Sequence, residues 1–426
     1  MTYREAIEYL YQLRLFGTKL GLENTFRLAN AVGSPQDRLR FIHVAGTNGK
    51  GSVCAYLESI YRSAGYKVGM FTSPHLVQFG ERMQVQLIPI APQDLVRHVE
   101  QLRQVIADWP KDTSPTFFEF ITVLALQHFA EQSCDIVIWE TGMGGRLDAT
   151  NIVQPACSII TNVSMDHQAW LGDSLTDIAR EKAGIIKPGR PIVTAESNRE
   201  PLKVIMDVAH DQNAPVYHIE SNLLPEGVSP GLKGSHQHFN ASTAIQAVEL
   251  LQTAFPVPAA TVNEAIVNTR LPGRFQIIEW YGRQVVLDVA HNGAGIQTVV
   301  DSWKECFGTE SCDLIFASLN DKPWRESMKR LAPLCHTIHL VPAQSQRSAS
   351  TQAMAEYVRQ ITPNTQVTEH EQVESALTKI RNNKHPLLIT GSFYLVGGVL
   401  PKLDPVNYSI EELSLNEWGA VLNSKL

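Results

Sequence analysis

Short apolar runs alternate along the chain with longer segments whose apolar positions recur every three or four residues. Runs of four or five apolar residues bounded by polar or turn-forming ones mark strands buried on both faces, and the intervening spacing marks helices with one buried face. Residues 41–45, 67–71, 135–139, 158–161 and 191–194 read as parallel strands, with helices over 53–64 and 119–131 between them. A second series of strands follows at 284–288, 313–317, 337–341 and 386–390. The alternation predicts two α/β units in tandem, residues 1–270 and 284–426, joined by a hinge over 271–283 where Pro272-Gly273 breaks the pattern. A loop is expected inside the first unit at 227–234, around Pro230.

Composition adds exclusions. Of 426 residues, 44% are hydrophobic and 19% charged, an ordinary globular balance at a length that favours two cores over one. The 43 acidic residues outnumber the 36 basic ones and no Lys/Arg block occurs, which speaks against a nucleic-acid partner. Six cysteines are scattered without a C-x-x-C pair, as expected of reduced thiols in a cytoplasmic protein. No apolar run reaches the roughly 18 residues of a membrane span, and the charged start, Met1-Thr-Tyr-Arg-Glu5, is unlike a signal peptide, so neither export nor a membrane partner is expected.

Candidate chemistry begins at His43-Val-Ala-Gly-Thr-Asn-Gly-Lys-Gly-Ser52, placed after a strand and before a helix. Gly46, Gly49 and Gly51 allow close backbone approach to phosphate oxygens, Lys50 supplies a point charge, and Ser52 a hydroxyl for magnesium. The loop departs from the common phosphate-loop pattern, since Val44 stands where a glycine is expected and Gly51 where Ser or Thr usually follows the lysine. A plain strand-to-helix glycine turn is the bland alternative. In an open parallel sheet, ligands gather outside the carboxyl ends of strands, and there lie Ser73-Pro-His75, Glu140 and Asp166-His167. A hydroxyl, a carboxylate and an imidazole near a phosphate loop make a magnesium site, although each also has an ordinary reading: a turn start, a surface partner for Arg146, a loop cap. The glycine-rich stretch Gly142 to Asn151 carries Arg146 and Asp148 in positions suited to ligand contact. In the second unit, Asp288-Val-Ala-His-Asn292 and Thr390-Gly-Ser392 end strands, where Asp288 is either a helix cap or, with Arg274, a closure over a nucleotide.

Together these motifs resemble the folylpolyglutamate synthase/dihydrofolate synthase family of the ATP-dependent Mur ligase superfamily. The resemblance runs through Gly46-Thr-Asn-Gly-Lys-Gly-Ser52, Thr72-Ser-Pro-His-Leu76, Glu81-Arg82, Glu140-Thr-Gly-Met-Gly-Gly-Arg-Leu-Asp-Ala-Thr-Asn151, Asp166-His167, Leu171-Gly172, Glu181-Lys-Ala-Gly-Ile185, Leu271-Pro-Gly-Arg274, Asp288-Val-Ala-His-Asn292, Asp321-Lys322 and Gly391-Ser392. It implies an α/β fold with a P-loop-containing, mostly parallel ATPase domain and a smaller Rossmann-like C-terminal domain. It also implies a reaction: ATP phosphorylates a carboxylate, and L-glutamate's amino group attacks the acyl phosphate, giving an amide, ADP and phosphate. By position, Thr47, Asn48, Gly49, Lys50, Gly51, Ser52, Asn240, Arg274 and Asp288 bind ATP, with His291 in the same block. Ser52, Ser73, Glu140 and His167 hold Mg2+, and Lys182 occupies the carbamylated position; Lys50, Lys182, His167 and Glu140 form the catalytic set. Thr18, Lys19, Leu20, Arg82, Thr116, Phe117, Phe118, Glu119, Leu147 and Asp148 surround the pteroate group, with a phenylalanine stacking on its ring. Val289 departs from the family, which commonly has glycine there, and puts the local backbone fit in question. The segment from Ser73 to Met83 is closer to members that perform both glutamate additions, to dihydropteroate and to reduced folates, and a monomer is expected. The alternatives are a cell-wall Mur ligase, for whose extra N-terminal domain the 45 residues before Gly46 leave no room, and a phosphate-loop regulator that uses ATP as a switch.

Overall fold

The computed structural model describes residues 1–16, 21–110 and 113–408. It divides into a first unit of Met1–His75, Gly80–Gly231 and His238–Thr269, and a second of Leu76–Phe79, Leu232–Gln237 and the chain from Arg270 onward.

The first unit is built on an eight-stranded sheet. Its strands are β1 (Phe41–Ala45), β2 (Val68–Phe71), β3 (Met83–Val85), β4 (Ile88–Pro89), β5 (Ile136–Glu140), β6 (Cys157–Ile160), β7 (Ile192–Thr194) and β8 (Val216–His218). The order is β4-β3-β2-β5-β1-β6-β7-β8, parallel from β2 to β8, with β3 and β4 antiparallel at one edge. Every residue of β1, β2, β5, β6 and β7 is buried, as continuous apolar runs require when helices cover both faces. The helices are α1 (Tyr3–Gln12), α2 (Glu23–Ala31), α3 (Lys50–Ser63), α4 (Pro92–Val105), α5 (Phe117–Glu131), α6 (Gln168–Leu171), α7 (Leu175–Ala183), α8 (Arg199–Asp211), α9 (His236–Leu250) and α10 (Ala259–Asn268). β1 lies at the sheet's centre between β5 and β6, so loops leaving the carboxyl ends of these three strands emerge side by side.

The second unit carries a six-stranded sheet: β9 (Gln276–Trp280), β10 (Arg283–Leu287), β11 (Cys312–Phe316), β12 (Cys335–Leu340), β13 (Gln366–Glu369) and β14 (Leu387–Thr390). The order β13-β12-β11-β14-β10-β9 is parallel except for β9. One core on this sheet is lined by Val285, Ile315, Ile389 and Val399, the other by Val286, Leu314, Leu388 and Trp303. The stretch expected as a hinge, 271–283, contains β9, which pairs antiparallel with β10. Val289 is buried in the first of these cores against Leu76 and Val396, and a side chain on Gly273 would come within 3.0 Å of it. Gly273 thus provides room for the side chain at 289.

Among the described residues no helix is long and apolar enough to cross a membrane. All six cysteines are free thiols.

Candidate active site

The loop after β1 is held by the loop after β6. Thr47 N–H donates to Asn162 O (2.8 Å), Asn48 N–H to Asn162 Oδ1 (3.0 Å), and Ser164 N–H to Thr47 Oγ1 (3.0 Å), while the Thr161 hydroxyl donates to Asn48 O (2.6 Å). Gly49 caps α3 at φ 87°, where a side chain is strained and its Cβ would lie 2.6 Å from Asn240 Oδ1. Asn240 is therefore beside the loop, at the position from which α3 begins. The first turn of α3 follows the loop directly and carries Gly51 and the buried Ser52, and a helix N-terminus of this kind presents its N–H groups to anions. Lys50 folds back, its Nζ donating to Gly46 O (3.1 Å) and Thr47 O (3.2 Å).

Glu140 ends β5 and is buried, not the exposed partner of Arg146. Its Oε2 accepts Ser73 N–H (3.1 Å) and its Oε1 lies 4.0 Å from Lys50 Nζ. Ser73, whose bond to Pro74 is cis, and Lys50 thus each approach Glu140 at the end of β5. Arg146 instead donates to Glu181 Oε1 from Nε (3.0 Å) and Nη2 (2.7 Å) on the surface. The two glycine-bearing motifs interlock there: a Cβ on Gly184 would collide with Arg146, and one on Gly145 would lie 2.9 Å from Glu181 O and Lys182 O. This close approach turns Lys182 inward, where its buried Nζ donates to Gly46 O (2.9 Å). Burial, then the charge of Lys50, lower the Lys182 pKa to about 7, against the pull of Asp166 and Asp148. His167 stands at the N-cap of α6 at φ 51°, half exposed, with its N–H on Asp166 Oδ1 (2.9 Å).

Beside Ser73 lies a cavity of about 470 Å³, lined among others by Arg14, Arg82, Phe117, Phe118, Met143, Leu147 and Asp148. Thr116 and Glu119 line it too, but as the capping box that starts α5: Glu119 N–H donates to Thr116 Oγ1, and Thr116 N–H to Glu119 Oε2 (2.6 Å). Arg82 is buried with Nε on His75 Nδ1 (2.8 Å) and its guanidinium 5.5 Å from the Phe117 ring centre; Arg14 lies 4.7 Å from the same ring. Asp148 is buried and accepts N–H bonds from Met143 (2.8 Å) and Thr150 (3.0 Å); burial raises its pKa against these bonds. Thr18, Lys19 and Leu20 lie outside the described residues. Asn162 and Ser164, which hold the phosphate loop, and Arg14 were not foreseen. The first two do follow a strand end, but are uncharged and carry no motif.

In the second unit Asp288 is not a helix cap: Asn292 caps α11 (Gly293–Phe307), and Asp288 accepts from Phe275 N–H and Ala290 N–H, both at 2.8 Å. Burial raises its pKa, with Arg274 opposing. The Arg274 guanidinium lies 5.3 Å from the Phe393 ring centre, and the His291 ring 5.7 Å from it. Arg274, Asp288 and His291 are thus gathered at one place.

A family model of the Mur ligase middle domain matches residues 44–278, and one of the Mur ligase glutamate ligase domain matches 273–393. With two parallel-sheet units and a phosphate loop after the central strand, the chain belongs to the Mur ligases, ATP-dependent enzymes that form carbon–nitrogen bonds. It is 33% identical to a Bacillus subtilis dihydrofolate synthase/folylpolyglutamate synthase over 94% of this chain and 99% of that one. A Thermotoga maritima folylpolyglutamate synthase structure superposes with a TM-score of 0.84 at 32% identity, covering 98% and 99% of the two chains. An Escherichia coli FolC in complex with DHPP and ADP does so at 0.83 and 29%, covering 95% and 98%. Within the Mur ligases the chain belongs to the dihydrofolate synthase/folylpolyglutamate synthase family.

Proposed function

We propose that this chain adds L-glutamate both to dihydropteroate and to the glutamate tail of reduced folates, through an acyl phosphate, with ATP converted to ADP and phosphate. One observation carries the reading: Ser73 lines the aromatic cavity and also donates its N–H to Glu140, which faces Lys50 of the phosphate loop. This supports a ligand in the cavity whose carboxylate points toward the phosphate loop.

In this assignment Gly49, Gly51 and Ser52 bind phosphate oxygens through N–H and hydroxyl groups, Thr47 and Asn48, whose N–H groups are held by Asn162, belong to the phosphate site by resemblance, and Lys50 swings from its carbonyl partners to the β/γ-phosphates. Asn240, Arg274 and Asp288 are assigned to the nucleotide on the family resemblance. Among the described residues no three His, Cys, Asp or Glu side chains cluster as a closed metal cage. Mg2+, which keeps waters and takes phosphate oxygens, needs only one or two protein carboxylates, and buried Glu140 beside Ser73 supplies one, while Ser52, the Ser73 hydroxyl and His167 are assigned to the ion on the family resemblance. When bound, the ion neutralises charge on the transferring phosphoryl group. Lys182 at a pKa of about 7 has much of its amine neutral at physiological pH, the form that attacks CO2 to give a carbamate. In the cavity, Phe117 or Phe118 stacks on the pterin, Leu147 packs beside it, Asp148 accepts its ring N–H groups, and Arg82 supplies positive charge. Thr116 and Glu119 shape the rim, and Thr18, Lys19 and Leu20 belong to the same site by resemblance.

The test is ADP release with dihydropteroate, tetrahydrofolate or a uridine-nucleotide sugar, each with and without glutamate. Release that depends on both a pteroate or folate and glutamate is expected; release indifferent to the acceptor, or specific for the nucleotide sugar, contradicts the reading.

A further inference from the structure

His43 is the middle residue of β1, in the otherwise apolar run Phe-Ile-His-Val-Ala, and is completely buried. Its backbone lies between Trp139 of β5 and Ser158 of β6, at the centre of the sheet. An imidazole there is costly unless its nitrogens are paired, and Nδ1 has no partner. Packing alone would be served better by an apolar side chain. What the imidazole does contribute is one contact: Nε2 lies 2.9 Å from Thr150 Oγ1.

The direction of that bond follows from its neighbours. Thr150 Oγ1 is 2.5 Å from Asp148 Oδ1, which also accepts the Thr150 N–H at 3.0 Å. The carboxylate oxygen is the acceptor, so the threonine proton points at Asp148, and Thr150 Oγ1 must accept from His43. His43 is therefore neutral with its proton on Nε2. Burial, with Lys187 adding to it, holds the imidazole pKa at about 3, so this state persists across the physiological range. Thr150 is fixed a second time, its carbonyl accepting Trp139 Nε1–H at 2.9 Å. The other oxygen of Asp148 is held by Met143 N–H at 2.8 Å. A single donor direction thus runs from His43 through Thr150 to the carboxylate that lines the cavity.

We propose that His43 is a positioning residue for the acceptor pocket: by donating to Thr150 it orients and polarises the hydroxyl that fixes Asp148, and so sets the affinity for the pterin ring without touching it. The inference rests on the assignment of Asp148 to that ring. Loss of the His43 donor leaves the buried Thr150 oxygen unsatisfied and free to turn, and Asp148 loses a partner polarised along the chain.

The test compares His43→Leu, His43→Gln, Thr150→Val, the double variant His43→Leu/Thr150→Val and Asp148→Asn, measuring kcat, KM for dihydropteroate, KM for ATP and the melting temperature. His43→Leu and Thr150→Val are each expected to raise KM for dihydropteroate about tenfold, the scale of one hydrogen bond coupled to a charge, with KM for ATP unchanged. In the double variant the two effects are expected not to add, since both act on one chain of contacts. His43→Gln, whose amide N–H replaces the Nε2 donor, restores most of the affinity. A general structural role would instead lower the melting temperature and move both KM values together. The inference is overturned if His43→Leu keeps the parent KM for dihydropteroate, or if KM for ATP rises equally. Should His43→Leu not fold, a parent KM in Thr150→Val overturns it as well. An unchanged KM in Asp148→Asn refutes the pocket assignment itself, whereas a raised KM there with no effect of His43→Leu refutes the positioning role alone.

Discussion

Three ionisable side chains gather at the phosphate loop: Lys50, Glu140 and Lys182. Replacing Lys50 or Glu140 by alanine removes charge placed where the transition state needs it, and kcat should fall on the order of a thousandfold. Steady-state turnover of folded variants checks this; near-parent kcat in either removes that residue from its role. Lys182 predicts a pH effect. Its folded pKa of about 7 lies below that of a free lysine, so the neutral amine that a carbamate requires is lost as pH falls through 7. Activity should therefore decline below that pH and be raised by added bicarbonate, while Lys182→Ala should be weakly active and indifferent to bicarbonate; equal responses would dismiss the carbamate. Ser73, Glu140 and Asp148 were legible because charged or hydroxyl side chains just beyond apolar runs stand out. Arg146 was misread for the same reason, since a motif does not tell which side of a loop its side chain takes, and this one pairs with Glu181 at the surface.

Elements place those residues. The helix α7 delivers Lys182 because Gly184 and Gly145 let its end touch the loop after β5. Gly184→Ala puts a methyl group against the Arg146 backbone and should cost about 3 kcal/mol, the scale of overpacking a tight contact, read by urea unfolding. A stability loss within error would show that the contact yields. Thr116→Ala should cost about 1 kcal/mol through loss of the α5 cap. The nine strands expected from apolar runs are present to within two residues, since burial along all or most of their length leaves a nearly unbroken apolar signature. β4, β8, β9 and β13 escaped because they are short or partly exposed edge pieces, and β3, three residues long, has one fully buried position.

For the whole molecule, a net charge of −7 sits oddly with anionic substrates, yet the cavity and loop concentrate Arg14, Arg82, Lys50 and Lys182. Charge is local to the site, which is why composition spoke only against nucleic acid. If both acceptors use the one cavity, dihydropteroate should inhibit glutamate addition to tetrahydrofolate competitively with the folate; a noncompetitive pattern would call for two sites. The central claim is that the acceptor carboxylate itself is phosphorylated, and the most direct measurement starts from dihydropteroate labelled with 18O in both carboxylate oxygens. Mass spectrometry of the released phosphate should find one 18O atom per phosphate, carried over when glutamate's nitrogen displaces the phosphoryl-bearing oxygen. Unlabelled phosphate, with the displaced 18O found in water or with no amide formed at all, would contradict the account.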